Sequence, residues 1–252
     1  LNGKILKTMV KIEQHDWWSS DQPERAIPNY SEDISYDLQR YGSEYFRTRH
    51  SLVELDENSN IALGCSCTFG VGVAEKKIWT TLLEEKTGRK THNLGVPGGS
   101  LETCFRVLLT HLPRLGSKYV YMQCPATIRR EVHKELYSSW NVDNIGHKNV
   151  NHPFSIDWLF SETELSLNRA SNMHAIQSLC DSYGAELRIF RSDDREENND
   201  LYRRIAIGAR DNMHPGSAWH SLMAEHFIRT PADKRRVYTY AVNEALPKDL
   251  KA

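Results

Sequence analysis

The chain has 252 residues, of which 39% are hydrophobic and 10% aromatic, and a formal net charge of -1. That length and apolar content exclude a disordered chain and allow one large domain with a substantial core. The near-neutral charge gives no support for nucleic acid or an anionic membrane as a partner.

Residues 1–10 mix Lys with apolar side chains over too short a span for a membrane helix, and they carry no h-region or small-residue cleavage site. No membrane span and a cytoplasmic location are therefore expected. From Lys11 to Asn58 the chain reads as polar and irregular, with Trp17-Trp18, Pro23, Pro28 and the tyrosines Tyr30, Tyr36, Tyr41 and Tyr45. Residues 1–58 are expected to form an extension packed on the main body, with Tyr45 to Leu55 as a short strand or a lead-in before the first core strand. A carbohydrate-stacking or partner-binding face is the alternative use of these aromatics.

Strands and helices then alternate. Asn60 to Leu63 reads as a strand, and Glu75 to Lys86 as a helix burying Ile78, Trp79, Leu82 and Leu83 with Gly88 as its stop. Thr91 to Leu94 is a second strand. Ser100 to Leu112 is a helix burying Leu101, Phe105, Leu108 and Leu109, ended by Pro113 and Gly116, and Lys118 to Cys124 is a third strand. The stretch from Arg129 to Pro153, with His133, His147 and His152, breaks the alternation and is expected to be an insertion at the edge of the site. Its histidines do not have the spacing of metal ligands on one helix.

Ser161-Glu162-Thr163-Glu164 is a capping box that opens a helix running to about Tyr183, with Leu165, Met173, Ile176 and Cys180 toward its buried face. Glu186 to Phe190 is a strand, and Ser192 to Asp200 a solvated loop. Ser217 to Ile228 forms the last core helix, whose His220 and His226 are expected at the surface. The core domain is placed at 59–230, with residues 231–252 as a tail. The whole reads as an α/β three-layer sandwich: a central, mainly parallel sheet with helices on both faces and sites at the carboxyl ends of the strands.

Two stretches carry the chemistry. In Asn60-Ile61-Ala62-Leu63-Gly64-Cys65-Ser66-Cys67-Thr68-Phe69-Gly70-Val71-Gly72, an apolar strand ends at a Gly and delivers Ser66 to a turn, where a following helix points free N–H groups back toward it. In Gly208-Ala209-Arg210-Asp211-Asn212-Met213-His214-Pro215-Gly216, an Asp and a His three apart can share one turn, so that the carboxylate holds one imidazole nitrogen and leaves the other free as a base. A hydroxyl, a base and a group that orients the base are what nucleophilic catalysis needs. The five cysteines, Cys65, Cys67, Cys104, Cys124 and Cys180, read as reduced thiols. Cys65-x-Cys67 has no second ligand pair at zinc-site spacing.

These stretches, with Asn93-Leu94-Gly95-Val96-Pro97-Gly98-Gly99-Ser100 between them, resemble the SGNH (GDSL-type) hydrolases. The resemblance runs in outline from Asn60 to Phe227 and is specific at these three short blocks. It implies a flavodoxin-like SGNH hydrolase fold, Ser66 as nucleophile, His214 as base and Asp211 as its orienting acid. It also implies an oxyanion hole from the Ser66 and Gly98 backbone N–H groups. Two positions depart from the family pattern. The Asp that commonly precedes the nucleophile is Cys65, and the position of the oxyanion Asn is taken by Thr127, with Gln123 as another candidate donor. Losing such a donor typically costs about 10²–10³ in rate.

The resemblance implies a serine esterase acting on a small-molecule or carbohydrate ester, with an O-acetyl group on a carbohydrate as the favoured substrate. No metal and no organic cofactor are expected. The alternatives are a non-catalytic binding or assembly protein that keeps the fold, and an acyltransferase using the same site.

Overall fold

A computed structural model describes residues 9–12, 34–41, 44–126, 129–136, 139–145, 161–191, 208–211 and 214–232. Strands β1 (Met9–Ile12), β2 (Tyr36–Tyr41) and β3 (Glu44–Phe46) form an antiparallel sheet in that order. For β1 and β2 this corrects the expectation of an irregular segment, whereas β3 overlaps the start of the stretch read as a short strand or a lead-in. In β2, Tyr36 and Leu38 are buried while Asp37 and Gln39 are only partly so, the period of two that a half-buried strand requires. Tyr36 and Leu38 join Ile34, Phe69 and Val71 in one apolar cluster, so this small sheet packs on the segment that follows Ser66.

The central sheet is parallel. It contains β4 (Asn60–Leu63), β5 (Thr91–Asn93), β6 (Tyr119–Gln123) and β9 (Glu186–Phe190), in the order β5-β4-β6-β9. Side chains along these strands alternate between two cores. Ile61, Leu63, Val120, Met122 and Leu187 point to one cluster, which includes residues of helices α3 (Leu101–Leu115) and α4 (Glu162–Ser182). Ala62, Tyr121 and Phe190 point to the other, with residues of α2 (Trp79–Thr87) and α5 (Ser217–Arg229). This is the three-layer α/β sandwich expected from the sequence, with the strand order of flavodoxin-like folds. The order reverses beside β4, and the crevice at such a switch point lies outside the carboxyl ends of β4 and β6.

The helix boundaries differ from the sequence reading in two places. A 3-10 turn covers Glu75–Lys77, and Ile78 is extended (φ -73, ψ 146), so α2 begins only at Trp79. Helix α3 runs through Pro113 and stops at Gly116, which is left-handed with φ 63. Its buried face is Leu101, Cys104, Val107, Leu108, Leu112 and Leu115, whereas Leu109 is 50% exposed. The carbonyl released by Pro113 belongs to Leu109, on the solvent side, where water can satisfy it.

Strands β7 (Arg130–Leu136) and β8 (Ser139–Ile145) pair as an antiparallel hairpin within the stretch read as an insertion. Arg106 of α3 binds Glu44 of β3 at 2.6 Å and Glu131 of β7 at 2.7 Å, which ties the hairpin and the N-terminal sheet to the core. Arg130 pairs with Glu102 at 2.7 Å. Ser161 accepts the Glu164 N–H at 3.2 Å, giving α4 the cap its sequence predicts. Among the described residues no helix is long and apolar enough to cross a membrane.

Candidate active site

Strand β4 ends at Leu63, and Gly64 turns the chain out of the sheet. A Cβ on Gly64 would lie 2.1 Å from Thr68 Oγ1 and 2.8 Å from the Gln123 carbonyl, so no larger residue fits that path. Cys65 caps a single helical turn, α1 (Ser66–Phe69), which closes at the left-handed Gly70. The turn's own bonds run from the Thr68 and Phe69 N–H groups to the Cys65 carbonyl, both at 3.0 Å, leaving the Ser66 and Cys67 N–H groups outside them. Ser66 is the first residue of this turn and is 6% exposed.

The loop after β5 is clamped onto the same turn. Asn93 Nδ2 donates to the Thr68 carbonyl at 2.9 Å, Asn93 Oδ1 accepts the Gly95 N–H at 3.1 Å, and the Val96 N–H reaches the Gly64 carbonyl at 3.0 Å. Val96-Pro97-Gly98-Gly99 then makes a tight turn closed by Gly99 N–H to the Val96 carbonyl at 2.8 Å. Pro at its second position and Gly98 at φ 77 in its third are the signature of a type II turn. The closing bond uses the Gly99 N–H, not that of Gly98, and Gly98 is exposed with open space where a Cβ would be.

At the end of β6, both ends of the Gln123 carboxamide are engaged beside the nucleophile turn. Its Nε2 donates to the Cys124 carbonyl at 2.9 Å, and its Oε1 accepts from Thr68 Oγ1 at 3.4 Å and from the Cys65 thiol at 3.6 Å. It therefore braces the nucleophile turn, and Cys65 takes part in that brace where the family pattern has Asp. Thr127 lies outside the described residues.

Arg129 was not singled out by the sequence. It places Nη1 3.5 Å from the Gly99 carbonyl, and its charge acts on Cys65. The hydrogen bond from Cys67, against the opposing effect of burial and with help from Arg129, holds the Cys65 thiol well below its ordinary pKa. Burial pushes the Cys104 thiol up, with Cys124 and Cys65 adding to the shift.

Asp211 and His214 are brought together as the three-residue spacing predicts. Asp211 Oδ2 lies 2.6 Å from His214 Nδ1, and Asp211 Oδ1 accepts the His214 backbone N–H at 3.1 Å. The Asp211 side chain is fully buried and that of His214 is 17% exposed. An ionised carboxylate only accepts, so this contact puts the ring proton on Nδ1 and leaves Nε2 as an acceptor. The turn docks on the segment after α1: the Arg210 N–H donates to the Gly72 carbonyl at 2.8 Å, and Ala209 packs with Val73 and Ile78. Among the described residues Ser66 Oγ and His214 Nε2 do not hydrogen-bond to each other; backbone contacts connect their two turns.

His220 is a correction. It is fully buried rather than at the surface, and its Nδ1 accepts the Trp79 N–H at 3.1 Å, supplying from α5 the cap that Ile78 cannot give to α2. Among the described residues no group of three or more His, Cys, Asp or Glu side chains is arranged to hold a metal ion. None of the five cysteines forms a disulfide.

No protein-family model matches the chain, and no curated protein matches it. Solved structures of similar arrangement include a protein of the G-D-S-L family from Desulfitobacterium hafniense, at 10% identity and TM-score 0.42, covering 67% of this chain and 97% of the other. A psychrotrophic esterase from Pseudoalteromonas sp. aligns at 13% identity and TM-score 0.41, covering 68% and 94%. An acetylxylan esterase from Geobacillus stearothermophilus aligns at 11% identity and TM-score 0.39, covering 70% and 95%.

Proposed function

We propose that the chain is a serine hydrolase that cleaves a carboxylic ester through an acyl-enzyme on Ser66. The observation that carries this reading is the Asp211–His214 pair: a fully buried carboxylate holding both the ring Nδ1 and the backbone N–H of a partly exposed histidine. A buried carboxylate used in this way orients a base and stabilises it once protonated.

In the proposed reaction Ser66 Oγ attacks the acyl carbon and its proton passes to His214 Nε2. Asp211 stabilises the resulting imidazolium. The oxyanion is held by the Ser66 and Gly98 backbone N–H groups, with the Thr127 hydroxyl as a third donor. His214 then gives its proton to the leaving alcohol, and the C–O bond to that alcohol breaks. Water attacks the acyl-enzyme with His214 again as base, releasing the acid and restoring Ser66. The favoured substrate is an O-acetyl group on a carbohydrate.

Release of p-nitrophenol from a short acyl ester, compared between wild type and Ser66→Ala, tests this proposal. Turnover that disappears in Ser66→Ala supports it, and turnover retained by that variant would overturn it. A competing alcohol added to the assay separates hydrolysis from acyl transfer, because a transferase would form the new ester in place of free acid. Thr127 in place of an Asn-type donor and the aromatic N-terminal extension favour a non-catalytic binding protein, and folded wild type without turnover would support that second reading.

A further inference from the structure

The segment 70–73 bonds to both halves of the candidate site. The Gly70 and Val71 N–H groups donate to the Ser66 carbonyl at 2.9 and 3.1 Å, and the Gly72 carbonyl accepts the Arg210 N–H at 2.8 Å. A Cβ on Gly72 would lie 3.4 Å from Asp211 Oδ1, so this backbone lies directly against the carboxylate that holds His214.

Two side chains from the N-terminal sheet and the segment just after it fix this backbone. Tyr36 of β2 accepts the Gly72 N–H on its hydroxyl at 2.9 Å. Arg47, fully buried, donates from Nη1 to the Gly70 carbonyl at 2.5 Å and from Nη2 to the Val73 and Ser35 carbonyls, each at 2.9 Å. Its Nε lies 2.7 Å from Glu75 Oε2, an ion pair outside hydrogen-bonding geometry. Its guanidinium carbon lies 4.5 Å from the centre of the Tyr36 ring, at cation–π distance. A planar fork with five donors can hold several carbonyls in fixed relation, which an ammonium cannot do.

We propose that Tyr36 and Arg47 are positioning residues that set the Asp211–His214 pair against Ser66 through the backbone of residues 70–73. The inference rests on the hydrolase reading for its catalytic consequence, but not for its geometric one. On this account residues before the core domain complete the site. The Gly72 peptide is held from one side by Tyr36 and holds Arg210 from the other, so releasing its N–H lets the acid and base move together relative to Ser66. Misplacement by about 1 Å costs on the order of 10² in rate.

The test uses the full chain carrying Tyr36→Phe, which removes only the hydroxyl, and Arg47→Lys, which keeps the charge and loses the fork. Two readouts are taken on folded protein: kcat and KM on a short acyl ester, and the NMR resonance of the proton on His214 Nδ1. The expected result for Tyr36→Phe is a kcat lowered roughly 10- to 100-fold with KM changed less than about threefold, together with a shifted Nδ1 proton resonance. Unchanged kcat and resonance in both folded variants would overturn the inference and leave the hydrolase reading standing. If wild type has no turnover, the hydrolase reading falls, and the Nδ1 resonance alone decides whether these residues position the pair. Failure of both variants to fold would make the two residues structural and would also overturn it.

Discussion

Around Ser66 the backbone is gripped on several sides by Thr68, the Gln123 carbonyl and the Asn93–Val96 loop, whereas the His214 turn rests on the buried Asp211 carboxylate and on the Gly72 peptide. The first half is built into the sheet edge, where β4, β5 and β6 all end. The second is a loop docked onto that edge. A turn that is part of a sheet edge tolerates little change in shape, while a docked turn depends on whatever holds the surface it sits on. That difference predicts where substitution acts on chemistry and where it acts on folding.

The largest effects should come from breaking the acid–base half without disturbing the fold. Asp211→Asn keeps the size of the side chain but no longer fixes the His214 tautomer, and a loss of about 10⁴ in kcat is expected at nearly unchanged stability. Activity within tenfold of wild type would contradict the role given to the pair. The nucleophile half should break through folding. In Gly64→Ala the new methyl meets Thr68 Oγ1 and the Gln123 carbonyl, and a destabilisation of about 2–5 kcal/mol is expected in denaturant titration, from overpacking and backbone strain together. A neutral result would mean that the turn relaxes and that its geometry is not constrained by packing.

Acid should weaken the fold. Burial lowers His92 and His111 to about 4 and His220 to about 3, with neighbouring cations adding to the effect. Their folded pKa values lie below the unfolded value of about 6.5, so the folded state favours the neutral rings. The stability they contribute is present above about pH 6.5 and is lost as pH falls through that value toward about 4. Urea midpoints should therefore drop steadily between about pH 7 and about pH 4.5, and a flat profile would contradict the burial of these rings. A contrast within α3 ends in the smallest effect of all. Leu108→Ala should cost about 2–5 kcal/mol, and its exposed neighbour Leu109→Ala should stay within about 0.5 kcal/mol.

That last pair also marks how far the sequence could be read. Its apolar run, Val107-Leu108-Leu109, is continuous, so periodicity alone did not tell the buried leucine from the exposed one. The core strands and the Asp211–His214 pair were legible because their signals are local: short apolar runs ending at Gly, and an acid three residues before a histidine. Strands β1 and β2 were missed although Tyr36-Asp37-Leu38-Gln39 alternates, because that alternation is brief and stands in a polar stretch with prolines. Gln123 as a brace, His220 as a cap on α2 and Arg129 beside Cys65 rest on contacts between residues far apart in sequence. No spacing rule reaches them. The same holds for Tyr36 and Arg47, whose partners lie in the loop after Ser66.

The most direct test of the account is to treat the folded full chain with a fluorophosphonate and locate the adduct by peptide mass spectrometry, alongside His214→Ala. The account predicts a single phosphonyl adduct on Ser66 in wild type and a labelling rate reduced by at least about 10³ in the variant. Folded wild type that takes up no label, or an adduct on a residue other than Ser66, would contradict it.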